Sequence, residues 1–319
     1  MSKIQDALNK LQSGSGRKSG GAEPISKGGA GELPDGAHAL SRNRPGDLAS
    51  GGNGVQVTID FAALREAGLL PPKDEERALA GQYREIKRPL LANAFGKRVV
   101  PVEDGRLMVV TSAIAGEGKT FTAINLALSM AQEQDYSVLL VDSDIVKPQI
   151  SDAVGLRNEP GLLDLLEDHT LDPRDYISPT NEKRLSVLPA GSPRPHASEL
   201  LSSRRMEEVV RFLADWDTRR VILFDAPPLL RTAEAKVIAS LAGQIILIVK
   251  SESTPQGAVL EAIQTLNPNQ AVNIVLNQSM SGAADYNYGY AYSPSSFSGR
   301  SVVDESENES TGNQRGLWQ

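Results

Sequence analysis

A short glycine-rich segment with one lysine and one threonine is the part of this chain best suited to chemistry. Gly116-Glu117-Gly118-Lys119-Thr120 follows the apolar run Leu107 to Val110 and precedes a segment of helix-forming composition, Phe121 to Ala131. Glycines let backbone N–H groups close around phosphate oxygens, and a helix N-terminus adds partial positive charge. The pattern predicts a phosphate-binding loop between a strand and a helix, and the alternative is a glycine-rich turn without a ligand.

The residue types in this loop predict separate roles. Lys119 would reach the β- and γ-phosphates of a nucleotide, and the Thr120 hydroxyl would hold Mg²⁺. The other positions predicted to contact the nucleotide are Ala115, Gly116, Glu117, Gly118 and Phe121. The usual pattern opens with glycine five positions before Gly118, where this chain has Ala113. Because alanine is small, we expect the loop to tolerate it.

Acidic residues follow two further apolar runs. Val138 to Val141 leads into Asp142-Ser143-Asp144, and Val221 to Phe224 leads into Asp225. Ligands of parallel α/β sheets bind at the carboxyl ends of the strands, so these carboxylates should share one sheet edge with Lys119. Phosphoryl transfer needs bound Mg²⁺ with carboxylates near it, and Asp225 occupies the position for that role. A turn or a helix cap is the alternative for any single aspartate.

Strand and helix patterns alternate from Leu107 onward. Alternation of this kind predicts an α/β fold with a mostly parallel sheet and helices on both faces. The predicted strands are 107–112, 137–142, 185–189, 220–225, 243–249 and 272–277. The predicted helices are 119–132, 198–215, 232–241 and 256–265.

The composition of the chain argues against several classes of protein and of functional site. The chain has 319 residues and a net charge of −7, so its charge balance does not suggest nucleic acid as a partner. It contains no cysteine, which excludes disulfides, thiolate metal sites and cysteine nucleophiles. His38, His169 and His196 are scattered and do not have metal-ligand spacing. No apolar run approaches the roughly 20 residues of a membrane span, so we expect a cytoplasmic protein whose membrane contact goes through a partner.

The sequence of the N-terminal quarter predicts several separate segments. Residues 1–12 carry a helical stripe (Ile4, Ala7, Leu8, Leu11), which is either a docking helix or a helix packed on its own domain. Residues 13–54 hold 12 of the 28 glycines and predict a flexible linker. Val55–Phe61 reads as extended, and Asp74 should cap a helix that ends before Pro89 and carries a basic face of Arg84, Lys87 and Arg88.

The motifs AGEGKT, VLLVDSD and ILFDAPP together resemble the three Walker motifs of bacterial tyrosine kinases, the P-loop kinases of polysaccharide export. The resemblance covers roughly residues 75–300 and includes Pro189 to Leu201. The opening MSKIQDALNKLQ and residues 84–96 resemble the exosortase-associated branch of these autokinases. The resemblance implies a P-loop NTPase-like fold, ATP and Mg²⁺ as cofactors, and phosphate and magnesium roles for Lys119 and Thr120. It implies the base position for Asp142 and magnesium-organising positions for Asp144 and Asp225.

Two positions depart from the family pattern. The family often has arginine two residues after the second aspartate of its middle motif, where this chain has Val146. The Glu-x-x-Arg-x-x-Arg pattern of the family's oligomerisation helix corresponds here to Gly81, Arg84 and Lys87. The glutamate of that pattern is therefore missing, and Glu85 is the acid that could replace it in a homo-oligomer.

Four of the seven tyrosines alternate within seven residues near the C-terminus: Tyr286, Tyr288, Tyr290 and Tyr292. One face of an edge strand would show the same alternation, but the intervening Asn, Gly and Ala are poor strand formers. We expect residues 280–319 to be a disordered tail whose tyrosines accept phosphate. Asn277, at the end of the last predicted strand, is either an adenine-reading residue or an ordinary turn residue.

The resemblance also implies partners. A membrane polysaccharide chain-length protein would act as a separate adaptor, and a cognate phosphotyrosine phosphatase would reverse the modification. One alternative function is a dimerising partition or division-site ATPase, which places a signature lysine where this chain has Ile114. Another is a catalytically idle nucleotide-binding regulator of polysaccharide export.

Overall fold

The apolar runs that end in acidic residues form the centre of a parallel β-sheet. The computed structural model describes residues 52–96 and 102–279. Over these residues seven strands have the order β3-β4-β2-β5-β1-β6-β7, and only β3 and β4 pair antiparallel. The expected mostly parallel sheet is confirmed. The strands are β1 (Leu107–Ser112), β2 (Ser137–Asp142), β3 (Ser178–Pro179), β4 (Leu185–Leu188), β5 (Arg220–Asp225), β6 (Gln244–Lys250) and β7 (Ala271–Asn277).

Helices cover both faces of this sheet. They are α1 (Phe61–Glu66), α2 (Glu76–Phe95), α3 (Lys119–Ala131), α4 (Gln149–Ala153), α5 (Leu162–Glu167), α6 (Ala197–Leu201), α7 (Arg204–Trp216), α8 (Ala233–Ser240) and α9 (Gln256–Gln264), with a 3₁₀ turn at Pro173–Tyr176. Successive side chains of a strand point to opposite faces. Leu107 and Val109 accordingly pack in the apolar cluster that contains α7 and α8, whereas Met108 and Val110 pack against α2 and α3.

The predicted end of the first long helix is wrong. Helix α2 begins at Glu76, with Glu75 rather than Asp74 as the preceding cap residue, and it continues through Pro89 to Phe95. Proline removes one helical N–H and usually ends a helix. Here Leu90 and Asn93 beyond the proline are buried, and the Asn93 amide nitrogen donates to Gln244 Oε1 at 2.8 Å. Tertiary packing therefore outweighs the lost hydrogen bond.

The predicted basic face of α2 is only partly present. Arg84 and Arg88 are exposed, but Lys87 is 5% exposed. Its Nζ donates to the Ser129 carbonyl oxygen at 2.6 Å and lies 2.7 Å from Glu133 Oε1. Lys87 therefore links α2 to the end of α3 and is not available on the surface.

Two further predictions need correction. The single helix expected over 198–215 is two helices, α6 and α7, because Ser203 adopts an extended backbone and its hydroxyl donates to the Leu200 carbonyl oxygen. The extended piece expected over 55–61 stops one residue early, since Phe61 opens α1 with Asp60 as its cap. Within that piece Val57 pairs with Thr180 in an isolated bridge.

The last two residues of the predicted linker, 53 and 54, are hydrogen-bonded to the folded unit. The Asn53 N–H donates to the Arg174 carbonyl oxygen and the Gly54 N–H donates to the Ile177 carbonyl oxygen, both at 2.9 Å. The predicted segment 1–12, most of the predicted linker and the predicted tail 280–319 lie outside the described residues. In the part of the chain that the structure describes, no helix is both long enough and apolar enough to cross a membrane.

Candidate active site

The glycine-rich segment connects β1 directly to α3. Gly116 and Gly118 have φ angles of +84° and +90°, a backbone region that favours glycine. Gly118 is the residue before the first turn of α3, so the loop leads into a helix N-terminus. Ala113 is fully buried and has no positive φ, which is why alanine fits where glycine is usual. The geometry is that of a phosphate-binding loop.

The carboxylates predicted at the strand ends meet beside this loop. Asp142 and Asp225 are directly opposite each other in the β2–β5 register. The Thr120 hydroxyl donates to Asp225 Oδ2 at 2.7 Å, which joins the first turn of α3 to the end of β5. Burial and the neighbouring charge of Asp142 raise the pKa of Asp225 to about 7.

Lys119 lies on the same edge of the sheet. Its Nζ is 4.0 Å from Asp144 Oδ2, and both side chains are mostly buried. Asp144 Oδ1 accepts a hydrogen bond from the Lys147 N–H at 3.2 Å. Burial raises the pKa of Asp144, and the nearby charge of Lys119 opposes that shift. The structure thus brings together the loop lysine and all three predicted aspartates.

Hydrogen bonds fix only one of the two carboxylate oxygens of Asp142. Asp142 Oδ2 accepts from the Ser151 N–H at 2.8 Å and from the Ser151 hydroxyl at 2.7 Å. The Ser151 oxygen in turn accepts the Ala190 N–H at 3.0 Å. Burial raises the pKa of Asp142 to about 7, although both hydrogen bonds from Ser151 lower it. Sequence patterns do not single out Ser151, which lies nine residues after the aspartate it orients.

The donor atoms at this edge fit a magnesium ion. Asp142 Oδ1 and Asp225 Oδ1 are buried and have no hydrogen-bond partner in the structure. A carboxylate oxygen such as Asp225 Oδ1 is a hard ligand that suits Mg²⁺, which also keeps phosphate and water ligands. Among the described residues no three acidic or histidine side chains could hold a metal by themselves. The phosphates of a nucleotide would therefore supply part of the coordination.

Glu117 and Asn277, both predicted to contact the nucleotide, have other contacts in the structure. The Glu117 carboxylate is 1% exposed and accepts the Ile114 N–H at 2.8 Å. The Asn277 amide nitrogen donates to the Glu117 carbonyl oxygen at 2.8 Å, so the end of β7 touches the phosphate loop. The loop tip, Ala115 and Gly116, is exposed, and Phe121 is partly exposed. The four predicted acceptor tyrosines lie outside the described residues.

Comparison with known proteins agrees with this geometry. A family profile for ParA, described as "NUBPL iron-transfer P-loop NTPase", matches residues 105–282. The chain is 32% identical over 212 residues to the tyrosine-protein kinase YwqD of Bacillus subtilis, covering 65% of this chain and 84% of that protein. The crystal structure of the VpsO kinase domain superposes with a TM-score of 0.53 at 27% identity, covering 65% of this chain and all of that one.

Other relatives are much longer than the matched region. The putative tyrosine-protein kinase EpsB of Ralstonia nicotianae is 32% identical over 189 residues, which is 58% of this chain but 24% of that protein. Activities and partners that depend on the rest of such a protein are properties of that protein. The words "iron-transfer" describe the profile, and the match shows only the P-loop NTPase family for this chain.

Proposed function

The chain belongs to the bacterial tyrosine-protein kinases of the P-loop NTPase family, and on that premise we propose that it is an autokinase that phosphorylates its own C-terminal tyrosines. The phosphate donor is ATP bound with Mg²⁺. The observation that carries the proposal is the meeting of Lys119, Thr120, Asp142 and Asp225 at one sheet edge, beside a loop shaped for phosphate.

Each of these side chains has a distinct task in phosphoryl transfer. Bound Mg²⁺ supplies positive charge that stabilises the transferring phosphoryl group. Thr120, Asp144 and Asp225 would hold or orient the ion, and the loop backbone with Lys119 would cradle the phosphates. The pair Thr120–Asp225 supports this assignment, because the hydroxyl donates to the carboxylate and leaves its own lone pairs for the ion.

Asp142 would accept the proton of the attacking phenol. Its Oδ2 is occupied by Ser151, whereas its Oδ1 has no partner and can face a tyrosine hydroxyl. A pKa raised to about 7 makes this carboxylate a stronger base than an exposed aspartate. Tyrosine has a pKa near 10, so the cations around the site must also lower the cost of its deprotonation.

The acceptors would be Tyr286, Tyr288, Tyr290 and Tyr292. The last strand, β7, is parallel to the others, so Asn277 lies at the edge that carries the phosphate loop. Nine residues separate Asn277 from Tyr286, and such a segment spans at most about 30 Å when extended. A tail of this length can serve its own site or that of a second copy, and we propose transfer in trans. Asn277 itself would read the adenine base once nucleotide is bound.

Regulation of polysaccharide synthesis or export and of chain length is the proposed biological role. The chain would lie at the inner membrane through a separate chain-length protein that acts as adaptor, and it would form homo-oligomers. Arg84 and Arg88 of the predicted basic face are exposed and could contact either partner, whereas Lys87 is buried. A phosphotyrosine phosphatase would reverse the modification. Membership of the exosortase-associated branch remains part of this proposal.

Incubation of the purified full chain with ATP and Mg²⁺, followed by mass mapping of phosphotyrosine, tests the proposal. We expect phosphate on the tyrosines of 286–292, loss of most of the signal when all four are changed to Phe, and no signal in Lys119→Met. The Tyr83→Phe, Tyr136→Phe and Tyr176→Phe variants serve as matched controls. An unchanged signal in the fourfold variant would refute the tail as acceptor. ATP hydrolysis without phosphotyrosine would indicate a partition-type switch, and neither activity would indicate an idle regulator.

A further inference from the structure

The Glu117 carboxylate faces the interior of the protein rather than the space where phosphates would bind. Its Oε2 accepts the Ile114 N–H at 2.8 Å. Its Oε1 accepts the Thr254 hydroxyl in a short hydrogen bond and the Lys250 N–H at 3.4 Å. We call these four residues, Ile114, Glu117, Lys250 and Thr254, the Glu117 clamp. The clamp ties the phosphate loop to the turn that follows β6.

A second contact joins the same loop to β7. The Asn277 amide nitrogen donates to the Glu117 carbonyl oxygen at 2.8 Å, and the Ser251 N–H donates to the Asn277 carbonyl oxygen at 2.9 Å. Lys250 and Asn277 are directly paired in the β6–β7 register. The loop that leaves β1 is therefore anchored to the ends of two further strands through one residue, Glu117.

The clamp surrounds a buried carboxylate with neutral hydrogen-bond donors. Burying a carboxylate is costly unless hydrogen-bond donors replace its hydration. The donors here are two main-chain N–H groups and one hydroxyl, and no cation of the described residues pairs with Glu117. A loop held in its binding arrangement beforehand loses less conformational freedom when the ligand arrives.

We propose that Glu117 and Thr254 are positioning residues that hold the phosphate loop in its nucleotide-binding arrangement before the nucleotide arrives. The inference rests on the proposed binding of ATP at this loop. The clamp acts on binding and not on the transfer step, because its carboxylate oxygens are engaged on the side of the loop away from the ligand. Its loss should weaken nucleotide affinity and leave the rate at saturating ATP unchanged.

Substitutions of Glu117 and Thr254 can test the clamp, because each changes a known hydrogen-bond donor or acceptor. In Glu117→Gln, the amide oxygen can keep the Ile114 N–H while the amide nitrogen donates to the Thr254 oxygen, whose hydroxyl can turn to accept. In Thr254→Val, the carboxylate Oε1 keeps only the long contact to the Lys250 N–H. In the double variant, the amide nitrogen faces a methyl group and a second N–H donor. In Glu117→Gln the Lys250 N–H still donates to the Thr254 hydroxyl oxygen at 3.1 Å, so only the double variant leaves both the amide nitrogen and this N–H without an acceptor.

Titration of the full chain with a fluorescent ADP analogue and Mg²⁺ measures the affinities. We expect Glu117→Gln to bind within about 3-fold of wild type, Thr254→Val to bind about 5–10-fold more weakly, and the double variant to bind about 100-fold more weakly, beyond the product of the single changes. The rate of autophosphorylation at saturating ATP should stay within about 3-fold in Thr254→Val. Thr265→Val, which removes one hydroxyl–carbonyl hydrogen bond at the end of α9, is the matched control and should bind like wild type.

Hydrogen exchange of the nucleotide-free protein gives a second measurement should the double variant fail to fold. Amides of residues 113–118 should exchange faster in Thr254→Val than in wild type, and Thr265→Val should leave them unchanged. Wild-type affinity in Thr254→Val, or a double variant no weaker than Thr254→Val, would overturn the inference. So would a fall in the saturated rate at unchanged affinity. A wild-type protein that binds no nucleotide would instead contradict the proposed function.

Discussion

The Ser151 hydroxyl donates to Asp142 Oδ2 at 2.7 Å and leaves Asp142 Oδ1 without a partner. The Ser151 N–H donates to the same Oδ2, so the carboxylate cannot rotate without losing both bonds. The two bonds therefore fix the direction of Oδ1, the unpartnered oxygen of the proposed base. Because Ser151 lies on α4, the short helix that follows the strand, the orientation of the base depends on the position of that helix.

Ser151→Ala should therefore impair the transfer step. Loss of one hydrogen bond to a charged group costs about 1.5 kcal/mol, which corresponds to roughly a 10-fold lower kcat. The two bonds from Ser151 lower the pKa of Asp142, so removal of one raises that pKa further. Because a base must be deprotonated, the acidic limb of the kcat–pH profile should move to higher pH. Nucleotide affinity should be unchanged, and the exposed Ser240→Ala is the control; a KM effect alone would contradict this role.

Asp142→Asn should stabilise the protein in the absence of nucleotide and divalent cations. Burial, with the charge of Asp144, raises the pKa of Asp142 from 3.8 to about 7. Burial, with the charge of Asp142, raises the pKa of Asp225 from 3.8 to about 7. Their contribution to stability is fully present below pH 4 and is lost as the pH rises through about 7. The variant should gain roughly 2–4 kcal/mol near pH 8 and show a flatter pH dependence, measured by thermal unfolding.

A control for that measurement is the exposed Asp168→Asn. The pKa of Asp168 is lowered by its hydrogen bonds to Thr170, so this carboxylate has the opposite pH dependence: the stability it contributes is present above its ordinary pKa and is lost at lower pH. Equal stability of wild type and Asp142→Asn at pH 8 would show that burial does not destabilise the charged Asp142 carboxylate in the nucleotide-free protein.

The two glycines of the loop should respond differently to alanine. Both have positive φ, so each variant carries backbone strain of about 1–2 kcal/mol. A Cβ at Gly116 meets nothing within 4 Å, whereas a Cβ at Gly118 overlaps Asn277 Nδ2. Gly116→Ala should thus reduce nucleotide affinity modestly. Gly118→Ala should reduce it further, because the Asn277 side chain must turn away and give up its hydrogen bond to the Glu117 carbonyl oxygen.

Asn277→Ala separates the two causes of that loss. Asn277→Ala alone loses the hydrogen bond to the Glu117 carbonyl oxygen and the proposed adenine contact. Combined with Gly118→Ala it also removes the overlap, so the loss of affinity in the combined variant should be smaller than the sum of the two single losses. Isothermal titration with ADP and Mg²⁺ measures the series. Strictly additive losses would show that the Asn277 side chain is not what opposes alanine at position 118.

Lys87→Met should destabilise the fold without changing the active site. It removes the hydrogen bond to the Ser129 carbonyl oxygen and leaves Glu133 without its partner. Because Glu133 is partly exposed, the expected cost is about 2 kcal/mol, less than for a fully buried pair. Chemical denaturation measures it, with the exposed Arg88→Met as control; equal stability of the two variants would contradict a buried, paired lysine.

Local sequence was sufficient for the parts of this protein in which neighbouring residues determine the structure. The strands over 107–112, 137–142 and 220–225 begin and end as predicted, because each contains four successive apolar residues flanked on both sides by polar residues. The phosphate loop was equally readable, since glycine spacing, lysine and threonine lie within a few residues. The shared edge of the aspartates followed from parallel topology alone.

Contacts between distant residues were decided only by the tertiary structure. Helix α2 passes Pro89 because Leu90 and Asn93 find partners across the domain, and Lys87 turns inward because Ser129 and Glu133 lie opposite it. Glu117 reads as a loop residue in sequence, but its carboxylate meets Thr254, 137 positions away. Sequence determined which residues could bind a phosphate and a cation. Packing determined which oxygens of these residues already accept hydrogen bonds and which do not, because the donors come together only when the sheet forms.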